Sequence, residues 1–588
     1  MRLIYIIVCL WLCCVAASAA TLQIQITPKV FGGDLQPASL RYQTSAGETF
    51  SVTRISYFVS DVALQRDDGS WLEFTNSVEW LDFERNRDSI RIDQVPPGEF
   101  RTVRFLVGLA PGMNHGNIAN VPADSPLNPD INNLYWGWQT NYIFMALEGL
   151  WRNSSGELDG WAYHLARDTN SVRIVLAATM QITNETKLQL DFDLANVLNA
   201  PRPLSFVKDG SSTHSRDGDP VAAALIENLP SAFRVSRISA LTDAEIAAAN
   251  PKPLYLPERF TPYKFEISPV FPVPDLPRDN PLTVERVSLG RQLFFDKRIS
   301  INDRQSCADC HLPDKGFTDG RRTARGAEGE LGPRRTMPLF NLAWKQQFFW
   351  DGRADSLREQ VMGPIQNPVE MHQDLTNLVA KLAEVPGNYP MQFEKAFGSR
   401  EITAQKIALA LENYLLTLTS FDSKFDRVLS GQEKFTPAEQ RGFELFSTEY
   451  DPRRGQYGAD CFHCHGGPLF QSQNFANNGL DDTFPDTGRE RVTHNTYDAG
   501  KFAVPSLRNV ALTAPYMHDG RFATLDEVVE HYCTGVKRSA TLDPNIAKHP
   551  NGGVPLTQSD KQAMVAFLKT LTDERFLPPP TTGSYAEN

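Results

Sequence analysis

The chain has 588 residues, of which 41% are hydrophobic and 22% charged, and its formal net charge is −12. This length predicts a multidomain protein, because single hydrophobic cores stop growing at about 250–300 residues. The acidic balance argues against nucleic acid and anionic lipid as partners.

The first 20 residues have the pattern of a secretory signal peptide. Arg2 precedes an apolar run from Leu3 to Val15, and small residues follow up to Ala20. This run is too short for a membrane span, and no later segment approaches about 18 consecutive apolar residues. We therefore predict that the chain is exported, with a bacterial periplasm as its location, and that the mature protein has no membrane span.

Residues 21–245 are predicted to form an antiparallel β-sandwich. Turn signals such as Asp67-Asp68-Gly69 and Pro96-Pro97-Gly98 separate short strand-like segments. Four of these segments are rich in β-branched and aromatic residues with partial alternation, namely 55–64, 102–107, 171–176 and 186–192. Several short strands with turns between them are typical of a sandwich.

Prolines crowd residues 246–281, and we interpret this segment as an extended linker. Helical signals follow it, since residues 402–418 carry apolar side chains at the spacing of one helix face. Three further helix starts have the spacing of a capping box, at Thr436, Thr524 and Thr557. The sequence thus predicts two all-α domains, over residues 282–430 and 431–588.

Each of these two domains contains a C-x-x-C-H motif, one at residues 307–311 (CADCH) and one at residues 461–465 (CFHCH). In this signature two thiols attach covalently to a haem, and the His binds its iron. Two copies about 150 residues apart, with no further C-x-x-C pair, argue against a zinc site. We predict two cytochrome c-type domains whose haem c groups are held by Cys307, Cys310 and His311 and by Cys461, Cys464 and His465.

Sequence blocks around the two motifs resemble a known family. These blocks are 289–296 (LGRQLFFD), 349–353 (FWDGR), 363–371 (GPIQNPVEM), 504–509 (VPSLRN) and 514–520 (APYMHDG). Together they make residues 280–575 similar to the bacterial di-haem cytochrome c peroxidase and MauG superfamily, including its MbnH-like members. The resemblance implies an enzyme that reacts with hydrogen peroxide.

The resemblance implies a catalytic role for Glu370. A carboxyl after a Pro-containing turn can project over an iron face, take the peroxide proton and return it to the departing oxygen. The alternative is an ordinary surface Glu. Residues 312–371 contain no His, so we expect an open sixth position at the first haem, unless Met337, Met362 or Met371 occupies it.

Three further assignments follow from the same resemblance. Trp350 matches a Trp between the two haems that carries electrons, although it also suits a core position. Tyr532 aligns with the axial ligand of the second haem, which is Met in the peroxidases and Tyr in MauG-like enzymes, and Met517 is its rival. Arg335 stands where a Ca²⁺-binding Asn is common, which puts a calcium ion between the haem domains in doubt.

The N-terminal half resembles a second family, the MbnP-like partner proteins linked to copper handling. The shared segments are 57–62, 80–83, 113–115, 125–128, 135–139 and 161–165, within residues 21–200. In that family a di-haem partner oxidises a Trp to kynurenine, and the modified residue helps two His bind copper. This implies His115 and His164 as copper ligands and Trp80, Trp136 or Trp138 as the modified residue, although core positions would also suit them.

We therefore predict a periplasmic di-haem enzyme that uses hydrogen peroxide at an open haem. It would form a high-valent di-haem state and oxidise a Trp in the fused or a partner MbnP-like domain. One alternative is a di-haem cytochrome c peroxidase that takes electrons from a small cytochrome or cupredoxin. A second alternative is a non-enzymatic protein that binds copper or transfers electrons.

Overall fold

The computed structural model describes residues 20–85, 87–118, 121–122, 125–136, 141–182, 185–241, 253–268, 270–384, 389–452, 455–550 and 552–576. Residues 1–19 of the predicted signal peptide lie outside this description. Within it, none of the helices has the length and hydropathy that crossing a bilayer requires.

The N-terminal region consists mainly of β-strands. They are β1 (Ala20–Val30), β2 (Gly33–Asp34), β3 (Tyr42–Gln43), β4 (Thr49–Phe50), β5 (Arg54–Arg66), β6 (Trp71–Asp82), β7 (Ser89–Val95), β8 (Gly98–Val107), β9 (Tyr135–Trp136), β10 (Asn141–Arg152), β11 (Leu158–Ala166), β12 (Val172–Ile182), β13 (Thr186–Asp193), β14 (Ser212–Thr213) and β15 (Phe233–Ala240). Four helices lie between them, α1 (Pro111–Asn114), α2 (Pro129–Asn132), α3 (Leu194–Asn199) and α4 (Pro220–Ala232).

These strands form two sheets around one apolar core. The first sheet has the order β15-β13-β1-β2, with β7 also paired to β1, and the second has the order β12-β8-β5-β10-β11-β14. Strand β12 alternates buried and exposed residues, as expected for a sheet with one face on a core. The predicted β class is confirmed, but β1 pairs with β13 in parallel and so does β11 with β14.

The predicted linker is partly packed against the region that follows it. Its described residues, 253–268 and 270–281, contain no helix or strand. The buried Arg286 guanidinium donates to the carbonyl oxygens of Leu254 and Tyr255 at 2.7 and 2.9 Å. The Trp344 indole donates to the Pro272 carbonyl at 2.9 Å. These bonds hold the segment on the helical region rather than extended through solvent.

The remaining chain is helical, which confirms the predicted multidomain class. Its helices are α5 (Val284–Phe295), α6 (Cys307–Cys310), α7 (Leu357–Gln366), α8 (Leu375–Ala383), α9 (Tyr389–Phe397), α10 (Ala404–Leu416), α11 (Lys424–Leu429), α12 (Pro437–Phe446), α13 (Glu490–Thr493), α14 (Leu525–Glu530), α15 (Pro544–Ala547) and α16 (Gln558–Lys569). A π-helical segment, His531–Gly535, continues α14, and the short strands β16 (Tyr450–Asp451), β17 (Gln456–Tyr457), β18 (Phe475–Ala476) and β19 (Phe502–Ala503) pair locally.

The same helix crossing occurs once in each haem-motif region. A Cβ at Gly290 of α5 would overlap the Ala410 carbonyl of α10, and one at Gly442 of α12 would overlap the Ala563 carbonyl of α16. Only glycine lets the two backbones approach so closely. In each region the first helix therefore crosses a later helix at a glycine, α5 with α10 and α12 with α16, which indicates that the two regions repeat one architecture.

The β region packs directly on the second helical region. One apolar cluster includes Phe58 and Trp80 from the sheets and Phe446 and Phe462 from the second helical region. Beside it, a Cβ at Gly160 of β11 would overlap the main chain of α15. The two regions therefore meet through a close, partly apolar interface.

Candidate active site

A cavity of about 640 Å³ adjoins the first C-x-x-C-H motif. Cys307, Cys310 and His311 line it together with apolar side chains of α7 and α10. Ser306 immediately precedes the motif, and its N–H and hydroxyl both donate to the Asp309 carboxylate, at 2.8 and 2.7 Å. This local bonding fixes the turn that directs both thiols and the imidazole toward one cavity.

Both motif histidines are oriented by main-chain carbonyls. His311 Nδ1 lies 2.9 Å from the Phe317 oxygen, and His465 Nδ1 lies 3.2 and 3.1 Å from the Phe470 and Pro505 oxygens. Because a carbonyl only accepts, Nδ1 carries the proton and Nε2 keeps the lone pair that can bind iron. Burial lowers the pKa of His311, and it lowers the pKa of His465 to about 4, which favours the neutral ligating form.

The residues present fit covalently bound haem. All four motif cysteines are free thiols. Burial raises the pKa of Cys307 and of Cys461 to about 12, so these thiols are uncharged. Each motif thus places two neutral thiols and a neutral imidazole at the wall of an apolar cavity. These are the groups that haem c requires, two thiols to attach the porphyrin and one imidazole to bind the iron.

Glu370 lines the first cavity at the end of the turn that follows α7. Its N–H donates to the Asn367 carbonyl at 2.9 Å, and its own carbonyl accepts from Ala327 at 2.7 Å, so two loops hold it. The Asn367 side-chain amide donates to the Glu370 carboxylate at 2.7 Å. Burial raises the pKa of Glu370, while Asn367 and Arg353 act in the opposite direction. A carboxyl in this setting exchanges its proton closer to neutral pH than an exposed Glu.

His311 is the only histidine among the described residues that line this cavity. His372, just beyond the segment without His, lies on the surface with its Nδ1 2.6 Å from a Glu328 oxygen. Met337 and Met371 line the cavity and Met362 does not. The open sixth position of the first haem therefore stays a prediction. Two of the three methionines line the cavity and remain candidate ligands for that position.

A second cavity, of about 230 Å³, adjoins the second motif. His465, Tyr532 and Met517 all line it. The side-chain amide nitrogen of Asn478 lies 3.3 Å from the Tyr532 hydroxyl and 3.4 Å from the Met517 sulfur. Both candidate axial ligands thus lie beside one amide in the same wall, and the choice between them stays a prediction.

Tyr532 lies on the π-helical segment His531–Gly535. Such segments are rare and concentrate at functional sites, because the extra residue in the turn redirects a side chain. His531 Nε2 lies 3.0 Å from the Asn478 carbonyl oxygen, which ties this segment to the loop that carries the amide. Burial raises the pKa of Tyr532 well above its ordinary value, so the phenol is neutral in the absence of a metal.

Trp350 lines both cavities. Its indole N–H donates to the Arg335 carbonyl at 3.2 Å, and its own carbonyl accepts from Ala503 of the second helical region at 2.8 Å. The side chain is buried. An indole in a wall shared by two redox centres is in a position to pass electrons between them.

Arg335 does not fit a calcium ligand. It is buried, and its guanidinium donates to the Thr513 carbonyl at 2.5 Å. Burial lowers the pKa of Arg335 to about 10, which leaves it charged at neutral pH. A guanidinium has no acceptor atom for Ca²⁺ and brings a positive charge of its own.

The two histidines of the β region lie in different surroundings. His164 is buried on β11 with its Nε2 3.0 Å from Glu148, whereas His115 is half exposed with its Nε2 3.0 Å from Asp168. Within the described chain, His164 belongs to a cluster of three potential metal ligands with His214 and His463, and His115 belongs to none. The structure therefore does not group the predicted copper pair.

Of the three Trp candidates, Trp80 is the one whose side chain is described. It is fully buried, and its indole N–H donates to the Ser56 hydroxyl at 2.8 Å. The guanidinium groups of Arg85 and Arg87 lie 5.3 and 4.9 Å from its ring. The side chain of Trp136 and the whole of Trp138 lie outside the described residues.

Several polar groups at these sites were not predicted from the sequence. Asn367 and Arg353 act on Glu370, and Asn478 faces both candidate ligands of the second haem. Asn367 and Arg353 lie inside the blocks 363–371 and 349–353 that carry the resemblance, but their spacing alone assigns them no role, and Asn478 lies outside every block. His463 is different, because it lies inside the second motif, between Cys461 and Cys464, where the sequence alone shows a second histidine.

Comparisons with known proteins match the two halves of the chain to two different families. Residues 284–434 match the family described as di-haem cytochrome c peroxidase, and residues 19–215 match the MbnP family. The methylamine utilization protein MauG of Methylorubrum extorquens is 38% identical over 302 residues, which cover 51% of this chain and 81% of that protein. The cytochrome c551 peroxidase of Nitrosomonas europaea is 34% identical over 312 residues, 52% of this chain and 85% of that protein.

One solved structure is similar to the half of the chain that contains the two haem motifs. It is a MauG-like protein associated with microbial copper homeostasis, and it is 34% identical with a TM-score of 0.49. The match covers 54% of this chain and 98% of that one.

Proposed function

The chain belongs to the di-haem cytochrome c peroxidase and MauG family, and we propose that it uses hydrogen peroxide to oxidise a protein Trp. As a member, it is a haem-dependent peroxidase or oxidase with two haem c groups. The observation that supports the proposal most is the position of Trp350 in the wall of both cavities. The proposal includes a periplasmic location and three domains, over residues 21–245, 282–430 and 431–588.

Glu370 is the proposed acid–base group. Cys307, Cys310 and His311 would hold the haem beside it, and the bound haems would supply the iron redox chemistry that accepts oxidising equivalents from peroxide. The Glu370 carboxylate takes a proton from one peroxide oxygen and gives it to the other, which leaves as water. The Asn367 amide, 2.7 Å away, holds the carboxylate in place during both transfers.

Trp350 would carry electrons between the two haem sites, the second of which His465 and either Tyr532 or Met517 would complete. The overall reaction balances with peroxide as the only oxidant. Two peroxides and one Trp give N-formylkynurenine and two waters, and hydrolysis then releases formate and leaves kynurenine. The four electrons removed from the indole are those that reduce the two peroxides.

Trp80 is the substrate residue that the contacts favour. It shares one apolar cluster with Phe462, which lies inside the second haem motif, and with Phe446. Arg85 and Arg87 lie close to its ring and oppose a cationic indole. We therefore expect the oxidised indole to lose its N–H proton, and the Ser56 hydroxyl, which accepts the indole hydrogen bond, can relay that proton only by releasing its own hydroxyl proton.

Peptide mass spectrometry of the holoprotein tests this proposal. After addition of hydrogen peroxide, the Trp80 peptide should gain two oxygen atoms, or show the smaller mass increase that remains once the formyl group is hydrolysed to leave kynurenine, while the Trp151 peptide, from the core of the same region, should not change. Glu370→Gln should abolish the change and Trp80→Phe should remove it from that peptide. If no Trp of this chain is modified, oxidation of the fused domain is wrong. Modification of an added MbnP-like protein instead would transfer the proposal to a partner.

A conventional cytochrome c peroxidase is the second candidate, and Met517 is the observation that favours it. Its sulfur lies 3.4 Å from the Asn478 amide and lines the second cavity. A thioether ligand raises the potential of a haem and suits acceptance of electrons from a small donor protein. Rapid peroxide-dependent oxidation of a reduced cytochrome c, with no Trp modification, would establish this function.

A further inference from the structure

Three histidines meet where the β region touches the second haem-motif region. Their ring centroids are 5.0 Å apart for His164 and His214, 5.8 Å for His164 and His463, and 5.6 Å for His214 and His463. One nitrogen of each ring lies within 4.8 Å of one nitrogen of each of the others. Their side chains are 1%, 11% and 5% exposed, so the cluster is shielded from solvent.

The β-sheet brings the first two rings together. Strands β11 and β14 are parallel neighbours, with Ala162 opposite Ser212 and Tyr163 opposite Thr213. The next step of this register places His164 beside His214. The Ser215 hydroxyl donates to the His164 carbonyl at 2.8 Å and extends the alignment past the end of β14.

The third ring comes from the turn of the second C-x-x-C-H motif. His463 lies between the two motif cysteines, in a turn whose start is Asp460. The site therefore exists only where the two regions are packed together. Neither an isolated β-sandwich nor an isolated haem domain contains all three ligands.

The spacing of the rings matches a metal centre. A metal–nitrogen bond of about 2.0–2.1 Å puts the metal about 3.2 Å from each ring centroid, so tetrahedral or trigonal geometry predicts centroids about 5.2–5.5 Å apart. The observed separations of 5.0–5.8 Å bracket this range. Small side-chain rotations would bring three nitrogens to one ion.

The charges around the cluster also favour a cation. Three buried carboxylates, Glu148, Glu449 and Asp460, face two permanent cations, Arg54 and Lys548, which leaves one negative charge that either a proton on His463 or a bound cation can balance. Both Asp460 oxygens are buried without a hydrogen bond of good geometry among the described residues, although Lys548, His549 and His463 lie 3.2, 3.3 and 3.5 Å from them. An added positive charge would relieve this buried anion.

Carboxylates also accompany the ring nitrogens. Glu148 lies 3.0 Å from His164, and Glu449 lies 3.0 Å from His214 and 3.4 Å from His463. A carboxylate beside an imidazole is the usual partner of a metal-bound histidine, because it orients the ring and increases its basicity.

We propose that His164, His214 and His463 form an interdomain site for one divalent transition-metal ion. Three imidazoles without a thiolate suit Cu²⁺ or Zn²⁺, and Cu²⁺ binds such donors most tightly. The site replaces the pair His115 and His164 as the candidate for metal binding in this chain. None of its residues lines either of the two cavities, although His463 lies between the cysteines of the second haem motif.

Copper titration of the haem-loaded full chain tests the proposal. The chelator-treated protein is mixed with Cu²⁺ and desalted, and copper and haem iron are then counted per chain. We expect one retained copper with an electron paramagnetic resonance spectrum that shows imidazole nitrogen coupling. His214→Ala should weaken retention by at least about 100-fold, a loss expected to be larger than that caused by removing an outer hydrogen-bond partner. His115→Ala, the matched control, should keep it.

Two results would overturn the site. One is a wild-type protein that retains no copper or shows no nitrogen coupling. The other is loss of copper in His115→Ala with retention in His214→Ala. If His214→Ala fails to fold, His214→Gln and the wild-type spectrum still decide the question. The iron count detects any variant that has merely lost haem, so failure of this site is distinguishable from failure of the enzyme.

Discussion

A carboxyl group assists peroxide cleavage only if it can both accept and return a proton, and Glu370 has the surroundings for this. Replacement by Gln keeps the shape and the contact with Asn367 but removes the exchangeable proton. We expect Glu370→Gln to lower the second-order rate with hydrogen peroxide about 100- to 10,000-fold, the usual contribution of a positioned acid–base group. Stopped-flow absorbance of the haem bands measures this rate.

A second carboxylate nearby provides the control for this prediction. Glu328 is half exposed and bonds to His372 on the surface. Glu328→Gln should leave the rate within about twofold. Equal rates for Glu370→Gln and the wild type would contradict the catalytic assignment.

The surroundings of Glu370 also predict a pH dependence. Burial raises its pKa above the ordinary value of 4.5, and the Asn367 hydrogen bond lowers it in part. The deprotonated form is the one that accepts the peroxide proton, so the rate should fall as the pH drops through this raised pKa. Asn367→Ala removes a bond to the carboxylate, raises the pKa further, and should move the acidic limb to higher pH. If the acidic limb of the pH–rate profile is unchanged in Asn367→Ala and persists in Glu370→Gln, the titrating group is not Glu370.

At the level of elements, the π-helical segment His531–Gly535 determines the presentation of Tyr532 to the second cavity. If Tyr532 binds iron, Tyr532→Met should raise the reduction potential of one haem, because a thioether favours the reduced metal and a phenolate the oxidised one. Spectroelectrochemistry of both haems measures this shift. Met517→Leu, the matched variant on the other side of the Asn478 amide, should leave both potentials nearly unchanged.

The opposite pattern would assign the ligand to Met517. In that case Met517→Leu would lower one potential and alter its low-spin ferric signal, while Tyr532→Phe would change neither. The Tyr532 and Met517 variants together therefore distinguish the two candidate ligands and, with them, the two candidate functions.

Local signals in the sequence predicted elements well, because the interactions that form them are local. Thr436 and Thr524 begin helices with complete capping boxes, and the Thr557 side chain accepts from the Asp560 N–H at the start of α16. The C-x-x-C-H motifs likewise lie within single turns. The π segment was not predictable, since no residue pattern specifies one extra residue in a helical turn.

Long-range pairing was harder to predict for the same physical reason. The parallel pairing of β1 with β13 joins Leu22 to Thr186, and no local pattern distinguishes it from an antiparallel pairing. Arg335 shows the same limit at the candidate site. Its sequence position argued only against calcium, whereas its bond to Thr513 depends on how the two helical regions pack.

At the scale of the whole molecule, the contact between the β region and the second haem-motif region determines whether this is one functional unit. Gly160 of β11 lies against Pro544 of α15, and Asn545 donates to Glu148 of β10 at 3.3 Å. Arg538 donates to the Leu158 carbonyl at 3.0 Å. These partners are almost 400 residues apart in the sequence, so nothing in either half predicts the interface.

Gly160→Ala tests this interface, because the added methyl group would overlap the Pro544 carbonyl and force the two regions apart. Overpacking of this kind costs about 1–3 kcal/mol, so unfolding followed by β-sheet circular dichroism should separate from unfolding followed by haem absorbance. Gly112→Ala, whose added methyl would meet nothing within 4 Å, should behave as the wild type.

If the fused domain is the substrate, Gly160→Ala should also reduce oxidation of Trp80 while the peroxide rate at the first haem stays unchanged. Undiminished Trp80 oxidation in a variant with separated transitions would show that the packed interface is not the route of electron transfer.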